Sequence, residues 1–121
     1  LGLFCSTPSV PLSRAVSRKR AFEMLTTGDF IDAHTAQEYG LVNHVVSADK
    51  LDETVDALAK NIASKPADAL RAGKALFYRQ LNMPLAEAYQ AAGQVMAGNM
   101  LFPDTQEGID AFIEKRDPSW T

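Results

Sequence analysis

Leu51-Asp52-Glu53-Thr54-Val55-Asp56-Ala57-Leu58-Ala59-Lys60-Asn61-Ile62 places Leu51, Val55, Leu58 and Ile62 at i, i+4, i+7 and i+11. At 3.6 residues per turn those four fall on one face, so the spacing predicts an amphipathic helix of about three turns. The carboxylates Asp49, Asp52, Glu53 and Asp56 gather at its start. There they complement the positive end of the helix dipole and face water, which is structure and not acid–base chemistry.

Working outward toward the C-terminus, Lys65-Pro66 ends this helix, and Pro66 is tolerated in the first turn of the next. Its stripe is Leu70, Gly73, Phe77 and Leu81. Pro84 repeats the device, and the helix after it is expected to carry Leu85, Tyr89, Ala92, Met96 and Met100 inward, with Gly93 and Gly98 permitting close helix contact. Asp104 followed three residues later by Glu107 resembles a capping box opening a last helix to about Arg116. Asp117-Pro118 ends it, leaving Trp120 in a tail whose large ring needs a surface to cover it.

Toward the N-terminus, Leu41-Val42-Asn43-His44-Val45-Val46 is β-branched, bounded by turn residues, and reads as one short strand. Asp32 can cap a short helix through Tyr39, which Gly40 stops in left-handed conformation. A helix over about 17–26 precedes it, with Gly28 at its end, and the opening, Leu1 to Pro11, reads as a loop because of its two prolines and its serines and threonine. The expectation is a mainly α chain of about six helices and one short strand. A single strand cannot satisfy its own edges, so residues outside this stretch or another subunit are expected to complete the sheet. The first residue is Leu rather than Met, and the opening reads like the inside of a domain, as in an excised, processed or truncated product.

At 121 residues, 46% hydrophobic and 22% charged, the chain has the composition of a globular domain with one core. A net charge of -3 is too small to steer nucleic acid or an anionic bilayer, so neither is an expected partner. The local exception is the basic cluster Arg14, Arg18, Lys19 and Arg20, read as a solvated helix face with anion or nucleic-acid docking as the sharper alternative. No window offers the long apolar run of a membrane span, and the opening is too short for a signal peptide. The one cysteine, Cys5, forms no internal disulfide and is expected to be buried, with a reactive thiol as the lesser reading. No His and Cys residues have metal-ligand spacing, and no metal or cofactor is expected.

The residues offer little catalysis of their own. His34 and His44 have no nucleophile in a recognisable elbow nearby; His34 reads as an exposed helix residue and His44 as a partly buried strand residue. Ser6 and Thr7 could offer backbone amides to an anion, but a turn is the default. No residue is assigned as catalytic.

Three blocks, in order and at matching intervals, carry a resemblance. Arg14-Ala15-Val16 with Ala21-Phe22-Glu23-Met24-Leu25-Thr26-Thr27-Gly28 is the first; Ile31-Asp32-Ala33, Ala36, Gly40-Leu41-Val42 and Val45-Val46 form the second. Glu107-Gly108, Ala111-Phe112, Glu114-Lys115-Arg116 and Pro118 form the third. Together they resemble the enoyl-CoA hydratase/isomerase (crotonase) family across nearly the whole chain, and Phe4-Cys5-Ser6-Thr7-Pro8 with Phe77-Tyr78 resembles one less well understood branch of it.

That resemblance implies an α/β spiral core that binds an acyl-CoA thioester, followed by helices that build a trimer, often paired into hexamers. Residues 1–16 then correspond to the end of the core and a loop beside the active site, and residues 17–121 to the C-terminal helical oligomerisation region. The implied reaction is hydration of a 2-enoyl-CoA in fatty-acid metabolism, with double-bond isomerisation as the alternative, in the mitochondrion of a eukaryote or the cytoplasm of a bacterium. Both oxyanion amides and the usual glutamate precede the matching segment, so the segment alone is expected to be inactive. The family's glycine-rich loop is replaced here by Cys5-Ser6-Thr7-Pro8-Ser9-Val10-Pro11, a replacement that can accompany loss of the acid. Phe112 and Lys115 match positions that approach the adenine and phosphate end of CoA. A rival of another class is a non-enzymatic helical oligomerisation module, favoured by the apolar stripes.

Overall fold

Proline and glycine punctuate the chain into seven α-helices and one 3-10 turn, in a computed structural model that describes residues 2–121. The helices are α1 (Ser6–Ala15), α2 (Arg18–Thr27), α3 (Ala33–Glu38), α4 (Leu51–Ala63), α5 (Ala67–Gln80), α6 (Leu85–Asn99) and α7 (Pro103–Glu114), with the 3-10 turn at Ala48–Lys50. The mainly helical expectation is met. The single core expected from length is not: backbone contacts cluster into two compact units, one through Thr54 and one from Val55 to Thr121. The buried side chains are small, chiefly Val16, Ala21 and Ala36 in the first unit and Ala91 and Ala111 in the second.

In the first unit, the opening predicted as a loop is α1. Pro8 lies in its first turn, where a helix has no intrahelical use for the missing N–H. Pro11 lies inside and deletes one bond, while Ser9 and Ser13 hydroxyls donate to the carbonyls of Ser6 and Val10 at 2.6 and 3.3 Å. α2 ends at Gly28, left-handed at φ 72°, as its position in the sequence requires. The Asp32 carboxylate caps α3 by accepting the Thr35 N–H at 2.7 Å, and this bond holds its pKa below the ordinary carboxylate value.

The short strand over 41–46 does not form. The Leu41 N–H donates to Ala36 O at 2.9 Å in closing α3, and the Asn43 carbonyl accepts from the Gln37 side chain at 3.1 Å. With those groups engaged and no sheet among the described residues, β-branched composition alone does not make a ladder.

In the second unit, α5 and α6 pack on each other through small side chains. The half-buried positions run Ala69, Ala72, Leu76 and Gln80 on α5, and Ala88, Ala92, Val95 and Asn99 beside buried Ala91 on α6. The large residues expected to point inward lie outside: Leu70, Phe77, Leu81, Leu85, Tyr89, Met96 and Met100 are all exposed. Both faces satisfy a helical period, and the alanine face, which lets two backbones approach closely, takes the interface. Gly93 and Gly98 make no close approach, since a methyl group added at either would meet nothing within 4 Å. The α4 stripe of Leu51, Val55, Leu58 and Ile62 forms as predicted and is likewise exposed.

Candidate functional site

α7 begins at Pro103, two residues earlier than a helix capped by Asp104 would, with Phe102 at the N-cap making no side-chain bond. The expected capping box is therefore absent, because Asp104 and Glu107 are already inside the helix. Both instead hold the tail that follows it. The buried Asp104 carboxylate accepts the Thr121 N–H and hydroxyl through Oδ1, each at 2.9 Å. Glu107 receives Arg116 bidentately at 2.6 and 3.0 Å and the Ser119 N–H at 2.7 Å.

Between those two fastenings, the Trp120 ring lies against Gly108, where an added Cβ would sit 3.4 Å from the indole Cη2. This is the cover that the exposed ring needed. Residues 115–121 thus run back along one face of α7 as a strap, met at Asp104 and, one helical turn on, at Glu107 and Gly108. Arg116 also donates through Nε to Glu114 at 2.6 Å.

The reversal that makes the strap possible is at Lys115. Its φ of 56° is the one positive value outside glycine among the described residues. The Arg116 N–H reaches Ala111 O at 3.1 Å and the Lys115 N–H reaches Phe112 O at 3.4 Å, the paired bonds of a Schellman stop. Such a stop prefers glycine, and a left-handed L-residue costs roughly 1–2 kcal/mol.

Charge follows geometry. The Arg116 guanidinium, and next the Ser119 amide, bring the Glu107 carboxyl down to about 2, and the same carboxylate with Glu114 raises the already high Arg116 value. Beside the strap is an open cleft of about 530 Å³, lined by Pro66, Ala69, Phe102, Ile109, Phe112 and Trp120 among others.

The two residues matched to a CoA site, Phe112 and Lys115, are thereby brought to one helix end. Phe112 is 85% exposed and lines the cleft. Lys115 is exposed, does not line the cleft, and forms no ion pair among the described residues. What the sequence did not reveal is the strap. Glu107 and Arg116 stand nine residues apart, a separation that meets only if the chain reverses, and the reversal falls on a lysine instead of a glycine.

Elsewhere, Cys5 is exposed at the start of α1 and not buried, since α1 itself buries no residue. His34 is exposed on α3 as expected; His44 is exposed too, and not partly buried, because no strand carries it. The basic cluster is divided: Arg20 lies 4.0 Å over the Tyr39 ring and donates to Glu38 O at 3.2 Å, while Arg14 bonds Val10 O at 3.3 Å. Among the described residues no group of three or more His, Cys, Asp or Glu is arranged to hold a metal ion, and no helix is long and apolar enough to cross a membrane.

Residues 2–121 match the enoyl-CoA hydratase/isomerase family. Over all 121 residues the chain is 50% identical to the mitochondrial enoyl-CoA hydratase domain-containing protein 3 of Rattus norvegicus and 47% identical to that of Homo sapiens, spanning 40% of the length of each. This agrees with the branch that Phe4 to Pro8 and Phe77-Tyr78 resembled. Among solved structures, the enoyl-CoA hydratase of Mycobacterium smegmatis matches with a TM-score of 0.96 and 53% identity, over 98% of this chain and 46% of that one. Human enoyl-CoA hydratase domain-containing protein 3 matches with a TM-score of 0.95 and 48% identity, over 98% of this chain and 47% of that one. With its three motif blocks, its helical order and these likenesses in agreement, the chain belongs to the enoyl-CoA hydratase/isomerase family.

Proposed function

We propose that this chain is the C-terminal assembly segment of an enoyl-CoA hydratase-like lyase, that it supplies part of the CoA site, and that it is inactive alone. Residues 1–16 adjoin the catalytic core and residues 17–121 form the oligomerisation region. The reaction is addition of water across the double bond of a 2-enoyl-CoA. Its demanding step is charge development on the thioester oxygen, which fixed amide dipoles stabilise because they need no reorganisation. In the family those amides belong to the core that residues 1–16 adjoin, as does the proton-transferring acid in the members that keep it.

Phe112 and Lys115 are the contribution made here. An exposed ring can pack on adenine, and an unpaired ammonium supplies a point charge to phosphate. The observation that carries the reading is the 85% exposure of Phe112 on the same helix end as a lysine with no ion pair among the described residues. With Ile113 also exposed beside it, Phe112 leaves apolar surface at this helix end for a ligand or partner to cover.

Self-association as a trimer or hexamer draws support from the exposed apolar stripes of α4, α5 and α6, which a neighbouring surface would cover. The same stripes favour the second reading, a non-enzymatic helical oligomerisation module. Within the family reading, double-bond isomerisation is the alternative chemistry and needs one proton-shuttling acid in place of two. The names of the mammalian relatives assign those proteins to mitochondria, which supports that compartment for a eukaryotic parent.

Thermal melting of the full-length protein with and without coenzyme A tests the enzyme reading, because a ligand that binds only the folded state raises Tm. A rise that shrinks in Phe112→Ala and Lys115→Ala is expected. No rise in an assembled full-length protein leaves only the oligomerisation module.

A further inference from the structure

The left-handed lysine is held in place by the residue that follows it. We infer that Arg116 and Glu107 are positioning residues for the CoA end of the site: their ion pair keeps Lys115 left-handed and so sets the direction of its side chain relative to Phe112. The inference rests on the proposed role of Phe112 and Lys115.

The sign of φ decides which way a Cα–Cβ bond leaves the backbone, and a free lysine at a helix end favours the negative sign. At Gly40 the same paired bonds, Leu41 N–H to Ala36 O and Gly40 N–H to Gln37 O at 2.9 Å each, close α3 around a glycine at φ 81°. No ion pair fastens that stop among the described residues. The Lys115 stop, by contrast, is followed at once by a guanidinium gripping Glu107 with two nitrogens and Glu114 with a third. Ser119 on Glu107 and Thr121 on Asp104 extend the fastening along the tail.

A fork–fork pair fixes orientation as well as distance, which a single lysine or glutamine contact does not. A lysine at this position therefore keeps its charge available while the chain takes a shape normally reserved for glycine. That combination serves a ligand, since glycine would close the helix with less strain and no charge.

The test uses the full-length protein with coenzyme A and 3′-dephospho-coenzyme A as probes, titrated by calorimetry at fixed ionic strength. A charge-assisted contact to the 3′-phosphate gives a preference for coenzyme A of about tenfold. Lys115→Ala removes the preference, which checks the underlying reading. Arg116→Ala and Glu107→Gln, with Lys115 intact, are expected to reduce it to less than about threefold, and Arg116→Lys to recover only part, since it restores charge without the fork. Should Arg116→Ala fail to fold, Glu107→Gln decides, because it retains the Arg116 contact to Glu114.

A preference that stays near wild type in Arg116→Ala or Glu107→Gln, even with lower Tm, makes the strap merely structural and overturns the inference while leaving the role of Lys115 standing. A wild-type protein with no preference, or a Lys115→Ala variant that keeps it, overturns the underlying reading instead, and the inference with it.

Discussion

α3 and α7 end in the same hydrogen-bond pattern, one around Gly40 and the other around Lys115. The glycine stop has Arg20 on the Glu38 carbonyl and Gln37 on the Asn43 carbonyl but no ion pair among the described residues, whereas the lysine stop comes with a bidentate ion pair, a second carboxylate holding the tail, and an aromatic ring laid on Gly108. The difference teaches that the end of α7 is maintained against backbone preference. A non-glycine residue held left-handed is the outlier from which the proposed role of the Lys115 side chain is argued.

The largest effect expected from this comparison is at the glycine stop. Gly40→Val loses about 2 kcal/mol, from the left-handed penalty on a β-branched residue, read as a lower denaturation midpoint; an unchanged midpoint refutes the account of that helix end. At the lysine stop the sign reverses. Lys115→Gly gains about 1 kcal/mol by removing the same penalty, while affinity for coenzyme A falls. A variant that gains stability and keeps affinity removes the reason for the lysine.

The ring contact comes next. A β-carbon at position 108 is an ordinary contact with Trp120, so Gly108→Ala is expected to be neutral or stabilising by about 0.5 kcal/mol, because alanine is the better helix former. Gly108→Leu brings a larger side chain against the indole and is expected to displace it. Trp120 is the only tryptophan, so its emission reports the displacement as a red shift in the leucine variant alone.

Smallest is the response to acid. The Glu107 pKa is lowered from 4.5 to about 2 by folding, so its contribution is complete above the unfolded value and is lost as pH falls through about 2. Trp120 emission is expected to shift red over that interval. In Arg116→Ala the shift moves up toward the ordinary glutamate range, and coincident transitions in the two proteins speak against the ion pair as its cause.

The helices were legible because their boundaries are chemical: Gly28 and Gly40 stop, Asp32 caps, and Pro66 and Pro84 open. α1 was hidden by Pro8 and Pro11, which read as loop residues although one of them lies where a helix tolerates it. The stretch 41–46 has strand composition, but its groups are engaged locally by Ala36 and Gln37. Period alone could not choose between the alanine and the aromatic-rich faces of α5 and α6, since both repeat every turn. Phe112 and Lys115 were proposed through family resemblance and not through any pattern of their own. Asp104 and Glu107 were misread as a cap because their spacing fits one, and only the reversal at Lys115 brings Arg116 and Thr121 to them.

The central claim is that the end of α7 meets the nucleotide end of coenzyme A. Photolabelling the full-length assembled protein with 8-azido-coenzyme A, followed by peptide mapping, tests it most directly. The account predicts adenine-dependent labelling of the peptide spanning residues 109–116, suppressed by excess coenzyme A and diminished in Phe112→Ala. Labelling that coenzyme A suppresses but that falls wholly outside this peptide contradicts it.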